Sequence, residues 1–252
     1  MRVRMHTTRT PVIDSNLRAL PLVGIMAKAP RAGHAKTRLA SGLAPEVAAD
    51  LYRYFLMDTV EIVCRVPGVT AALVCPRGDR EELLALDLGL PVLEQDEPGL
   101  MHGLAYGIRQ GLSLGHPAVA LINADSPTLP PALIADAVAA LDEHDVVLGP
   151  TADGGYYLIA ASVPCTELLC DEPYPSSETI CRDTLARARG LGLRAGTVAP
   201  WFDVDLPAEL AALAQALEDL PPHVARHTRG AMATHRTAIG SLVDGTAAGA
   251  GG

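Results

Sequence analysis

Apolar residues along the chain alternate between two periods. Leu22 to Ala27 is a short continuous apolar run followed by Lys-Ala-Pro, the form of a buried strand that leads into a loop. From Pro45 the spacing changes: Val47, Leu51, Tyr54, Phe55 and Ile62 recur on one helical face, and proline suits a first turn. The alternation then repeats. Val69 to Val74 reads as a strand, Asp79 to Leu88 as a helix, Val92 to Glu94 as a short strand, and Leu100 to Leu114 as a helix weakened by Gly103, Gly107 and Gly111. Ala118 to Asn123 predicts the clearest buried strand, followed by Asp125-Ser126-Pro127 and a helix over Pro131 to Leu141. Asp145 to Leu148 and Tyr156 to Ala161 are strands on either side of Asp153-Gly154-Gly155. A helix from Ser177 to Arg189, a strand near Thr197 and a helix from Pro207 to Leu217 complete the series. Strands alternating with helices predict an α/β fold with a mostly parallel central sheet flanked by helices, and ligands in such folds bind beyond the carboxyl ends of the strands.

The ends lack this pattern. Residues 1–19 mix Arg, Thr and Pro without a period and read as a flexible extension; residues 221–252, from Pro221-Pro222 to the Gly-rich end, read as a flexible tail. The folded domain is expected over 20–220. Composition agrees, since 49% hydrophobic and 19% charged residues over a 252-residue chain supply a full core. Lys+Arg 20 against Asp+Glu 29 gives a net charge of −9 with no basic run, which argues against nucleic acid as a partner. No stretch approaches the roughly 18 apolar residues that span a bilayer, so no membrane partner is expected. Five cysteines without a C-x-x-C pair fit reduced thiols and a cytoplasmic location.

One loop departs from the acidic character. Lys28-Ala-Pro30-Arg31-Ala-Gly33-His-Ala-Lys36-Thr-Arg38 follows the first strand, and its clustered cations, with Gly33 permitting close backbone approach, suit a polyphosphate. It lacks the Gly-Lys pair of a P-loop, and the Rossmann G-x-G-x-x-G is missing there. Asp125 ends the most apolar strand, where a carboxylate reaches a hard divalent cation or caps the next turn. Asp203 and Asp205 are one residue apart on an extended segment and point the same way; they can share a cation, or Asp205 can cap the helix that Pro207 begins. Asp153-Gly154-Gly155-Tyr156 leaves room for a bound group beside the main chain, or makes a hairpin turn. Ser176 and Ser177 cap a helix or meet an acceptor.

Met26-Ala-Lys-Ala-Pro-Arg-Ala-Gly33, Lys36-Thr-Arg-Leu39, Asp125-Ser-Pro-Thr-Leu129, Gly149-Pro-Thr-Ala-Asp-Gly-Gly-Tyr-Tyr157 and Asp203-Val-Asp-Leu-Pro207 come in the order of one family. Together they resemble the cofactor-guanylyltransferase-like, arsenosugar-associated glycosyltransferases of the nucleotide-diphospho-sugar transferase superfamily. The resemblance spans Leu20 to Leu217 and implies the GT-A fold. It also implies roles. Ala27, Lys28, Pro30, Gly33, Lys36 and Arg38 would receive the nucleotide and its phosphates; Asp125, with Asp203 or Asp205, would meet Mg²⁺ or Mn²⁺; Asp153, Gly154, Gly155, Tyr156 and Ser177 would face the acceptor. Where the family shows a run resembling Leu-Gly-Glu-Arg-Met, this chain reads Gly99-Leu-Met-His-Gly-Leu104, without the arginine.

The expected activity is metal-dependent nucleotidyl transfer from an NTP to a small phosphorylated acceptor with release of pyrophosphate, carried by Lys36, Arg38 and Asp125. Glycosyl transfer from a nucleotide sugar would use the same cradle. A nucleotide-binding protein without turnover is the reading from another class.

Overall fold

The computed structural model describes residues 19–169 and 177–240. The expectations for residues 1–18, Cys170, Ser176 and 241–252 lie outside them, as does the side chain of Ser177. Seven strands, β1 (Leu22–Met26), β2 (Thr70–Cys75), β3 (Val92–Glu94), β4 (Val119–Asn123), β5 (Val146–Pro150), β6 (Tyr156–Ala161) and β7 (Ala195–Thr197), form one sheet. Their order is β3-β2-β1-β4-β6-β5-β7. All neighbours are parallel except those of β6, which runs antiparallel to both β4 and β5. The cause is local: the turn over 151–155 is too short for the crossover that parallel strands need.

Helices α1 (Pro45–Cys64), α2 (Arg80–Ala85), α3 (Leu100–Ser113), α4 (Pro131–Ala139), α5 (Ile180–Gly190) and α6 (Pro207–Asp219) follow the predicted segments closely. The strands divide their side chains between two cores. Ala120 and Ile122 of β4 join Leu56 and Val63 of α1 and Ile134 of α4 on one face, while Val119 and Leu121 join Leu104 and Ile108 of α3 on the other. Both faces are covered, which is why the strands read as unbroken apolar runs. The glycines of α3 offset their low helix propensity by allowing close approach to the sheet: a Cβ on Gly111 would come within 2.4 Å of Cγ2 of Val119.

The described part of the expected tail, residues 221–240, contains a helix. Residues 226–234 form α7 (Arg226–Thr234), which packs on α1. Composition hid this helix because polar contacts, more than an apolar stripe, hold it. The buried carboxylate of Asp58 accepts from the N–H groups of His227 (3.1 Å) and Thr228 (2.8 Å) and from the Thr228 hydroxyl (2.6 Å), satisfying donors that a first helical turn leaves open. Arg229 donates to the Leu217 and Leu220 carbonyls at the end of α6. Glu61 pairs with Arg226 and His227. Burial opposes the charge on Glu61, yet these two partners hold its carboxyl below the usual range. A lowered folded-state value adds stability above the unfolded value, and that stability is lost as pH falls through the folded one. Thermal melts are therefore expected to show the wild type losing more stability than Glu61→Gln between about pH 5 and pH 3.

Among the described residues, no helix is long and apolar enough to cross a membrane.

Candidate active site

From β1 the chain passes to β2 on one side and later to β4 on the other, so the carboxyl ends of β1 and β4 lie side by side at a topological switch point. The loop leaving β1 is fastened from outside. The Lys28 N–H donates to the Tyr52 hydroxyl of α1 at 2.9 Å, and the Ala29 N–H donates to Asp79, in the turn after β2, at 2.8 Å. Arg31 and His34 also bond Asp79. Lys36 then adopts φ +53, in the left-handed region that costs a side-chain-bearing residue energy and recurs at functional sites.

That backbone turns the Lys36 ammonium inward. Its side chain is 3% exposed, and Nζ lies 2.5 Å from Oδ2 of Asp125 and 2.5 Å from Oδ1 of Asp205, residues 89 and 169 positions away in the chain. Arg38 reaches the other oxygen of Asp205 at 3.5 Å. The two acidic segments are tied together by the Val204 N–H, which donates to the Asp125 carbonyl at 3.1 Å. Asn123, oriented by the Ser126 hydroxyl at 2.9 Å, donates to Asp203 at 3.5 Å. Asp205 does not cap α6. Glu209 accepts from the N–H groups of Asp205 (2.6 Å) and Leu206 (2.7 Å), which leaves the Asp205 carboxylate to face Lys36.

Asp125, Asp203 and Asp205 offer ligand oxygens that all lie within 4.8 Å of one another. One lysine does not neutralise three crowded carboxylates: burial holds the Asp125 carboxyl above the usual range even with Lys36 beside it, and Asp203 is also raised. Burial, then Asp125 and Asp205, push the Asp203 carboxyl up to about 7. Burial alone would lower Lys36, but Asp125 and Asp205 raise it, so its ammonium persists. Asp125 Oδ1 is buried without a hydrogen-bond partner. An all-oxygen donor set with an unsatisfied buried carboxylate oxygen fits a hard divalent cation such as Mg²⁺.

These groups line one cavity of about 390 Å³, together with Lys28, His34, Tyr156 and the apolar side chains of Met26, Leu100 and Leu104. Several expected residues are elsewhere. Ala27 is buried behind the loop, bonded through its N–H to the Val74 carbonyl; Pro30 lines a separate open groove with Glu46 and Arg53; Gly33 (φ +73) makes an open turn. Asp153, Gly154 and Gly155 form the hairpin turn and do not line this cavity, whereas Tyr156 does. Asp153 accepts from the Thr151 hydroxyl (2.5 Å) and the Gly155 N–H (3.1 Å), and a Cβ on Gly154 (φ +90) would meet the Glu178 carbonyl oxygen at 2.0 Å. That glycine serves packing against the turn before α5. Asp79, Tyr52 and Asn123 are site-building residues that sequence reading missed. Asn123 shares the signal that found Asp125, a polar group at a strand's carboxyl end.

A family described as "Uncharacterized protein conserved in bacteria (DUF2064)" matches residues 59–176. A Sphaerobacter thermophilus protein named phosphoenolpyruvate guanylyltransferase is 33% identical over 187 residues, which are 73% of this chain and 88% of that relative. The chain belongs to the DUF2064 family. It is a transferase by that kinship. The fold is shared more widely. The crystal structure of a candidate nucleotide-diphospho-sugar transferase from Desulfovibrio desulfuricans G20 superposes with a TM-score of 0.79 at 23% identity, covering 89% of this chain and 98% of that one. That of CMP:2-keto-3-deoxy-manno-octonic acid synthetase complexed with CTP superposes with a TM-score of 0.53 at 14% identity, covering 80% and 100%. The resemblance carried by the five motifs, and the GT-A-like sheet it implied, are borne out at the level of family and fold.

Proposed function

We propose that the chain transfers a guanylyl group from GTP to a small phosphorylated acceptor, releasing pyrophosphate. The observation that carries this reading is the meeting of Lys36 with Asp125 and Asp205 in the cavity at the switch point. Kinship with a protein named for guanylyl transfer supports the base. A phosphate oxygen of the acceptor attacks the α-phosphorus, and the bond from that phosphorus to the bridging oxygen of the β-phosphate breaks. Lys36, held rigidly by two carboxylates, and Lys28 and Arg38 at the rim place positive charge against the phosphate oxygens, where charge accumulates in the transition state. Asp125, Asp203 and Asp205 would hold Mg²⁺ or Mn²⁺, which when bound supplies further charge neutralisation to those oxygens. Among the described residues the thiols of Cys64, Cys75, Cys165 and Cys181 are free, which supports a reducing, cytoplasmic setting.

The deciding experiment supplies the protein with Mg²⁺, GTP and phosphoenolpyruvate, the acceptor in the relative's name. Pyrophosphate formed in step with a guanylylated product is the expected result. Release of a nucleoside diphosphate from a nucleotide sugar, with no pyrophosphate from GTP, would replace this reading with glycosyl transfer.

A further inference from the structure

The loop that carries Lys36 also carries a histidine for which the reaction above has no role. His34 lines the same cavity as Lys28, Lys36 and Arg38, and its Nε2 lies 2.7 Å from Oδ2 of Asp79. The Asp79 side chain is 1% exposed, and its two oxygens take three donors: the Ala29 N–H, the Arg31 guanidinium and the His34 ring. All three come from one short segment of the loop. A buried carboxylate is tolerated only when its charge is matched and its oxygens are bonded. An aspartate immediately before a helix ordinarily caps it, but Asp79 makes no side-chain cap bond to α2. The carboxylate therefore serves the loop and not the helix behind it.

This arrangement fixes the orientation of the imidazole. With Nε2 spent on Asp79, Nδ1 is the ring atom left for a ligand, and His34 stands on the cavity wall with its side chain 36% exposed. The charge balance says which ligand. Lys36 divides its charge between Asp125 and Asp205, and Arg38 shares Asp205, so a polyphosphate chain draws on donors beyond these two and Lys28. A ring that bonds a buried carboxylate through Nε2 and turns Nδ1 to a phosphate oxygen meets that demand with a charge-assisted bond on each side.

We propose that His34 is a further phosphate-binding residue of this cavity, contacting the terminal phosphates of the nucleotide, and that Asp79 is the positioning residue that aims it. The proposal rests on the nucleotidyl-transfer reading for the identity of those phosphates, but its test needs no turnover.

Calorimetric titration of the full chain with inorganic tripolyphosphate provides that test. The wild type is expected to bind; His34→Ala and Asp79→Asn should each weaken binding about tenfold, and the double variant by no more than about twofold beyond the weaker single, because a shared interaction is lost only once. In turnover with GTP the loss in His34→Ala falls on KM and not on kcat, the pattern of a contact made equally in ground and transition states. A merely loosened loop would displace Lys36 and lower kcat. Tripolyphosphate affinity in His34→Ala within about twofold of wild type, additive effects in the double variant, a fall confined to kcat, or no tripolyphosphate binding by the wild type overturns the proposal. Failure of the transfer reading looks different: no pyrophosphate from GTP, while His34-dependent tripolyphosphate binding persists.

Discussion

Asp125→Ala is expected to lower pyrophosphate release from GTP by about 10²–10³-fold or more, the scale for losing one preorganised electrostatic contact in an active site. The side chain is central on two counts. One oxygen bonds Lys36, and the other is buried with no hydrogen-bond partner among the described residues. Alanine removes both while the backbone link from Val204 to the Asp125 carbonyl stays, so the cavity keeps its walls. Asp125→Asn sharpens the experiment. It preserves the shape but removes the charge that anchors Lys36, and it should lose nearly as much turnover as alanine while melting closer to wild type. Steady-state pyrophosphate assays with matched melting curves decide the matter. Turnover within about threefold of wild type in a folded Asp125→Ala protein would remove this residue from the chemistry, since that is far less than the loss of such a contact costs.

What the sequence disclosed about this site follows a physical division. The strand ends were legible because a fully buried strand is a nearly unbroken apolar run, and charged residues just past it stand at the mouth of the sheet; Asp125, two residues past β4, and Lys28, two residues past β1, were found this way. Asp203 and Asp205 were legible as a pair on an extended segment, but not their division of labour. That depends on Glu209 taking the capping role and on Asn123 reaching Asp203, contacts between residues far apart in the chain or one turn along a helix. Asp153-Gly154-Gly155 fits two uses equally well by sequence. The packing use at Gly154 comes from the approach of the Glu178 backbone, which no local pattern reveals. Asp79 was unreadable for the opposite reason: it sits where a helix cap is expected, and only the folded loop shows its side chain turned away from α2. Helix α7 escaped because Ala231 is its one fully buried apolar side chain and its anchors, Asp58 and Arg229, are single polar side chains whose partners no periodicity reveals.

Lys36→Met is expected to have the largest effect on stability. In the wild type the ammonium is the buried counter-charge of Asp125 and Asp205, and Asp203 is already pushed up to about 7 by its surroundings. Methionine keeps the packing volume and deletes the charge, leaving carboxylates that repel one another in a desolvated setting. Breaking a buried pair by removing one partner costs about 3–5 kcal/mol. For a chain of this size that corresponds to a fall in Tm of roughly 6–20 °C. The same loss predicts its own remedy. Three carboxylates without their lysine attract a divalent cation more strongly than three carboxylates with it, and a ligand that binds only the native state raises Tm by mass action. Added MgCl₂, without nucleotide, should therefore raise the Tm of Lys36→Met by several times the shift it produces in wild type, while NaCl at equal ionic strength should not. Equal magnesium shifts in the two proteins would mean that the acidic cluster holds no cation beside Lys36, and the division of roles between that lysine and the three aspartates would have to be abandoned.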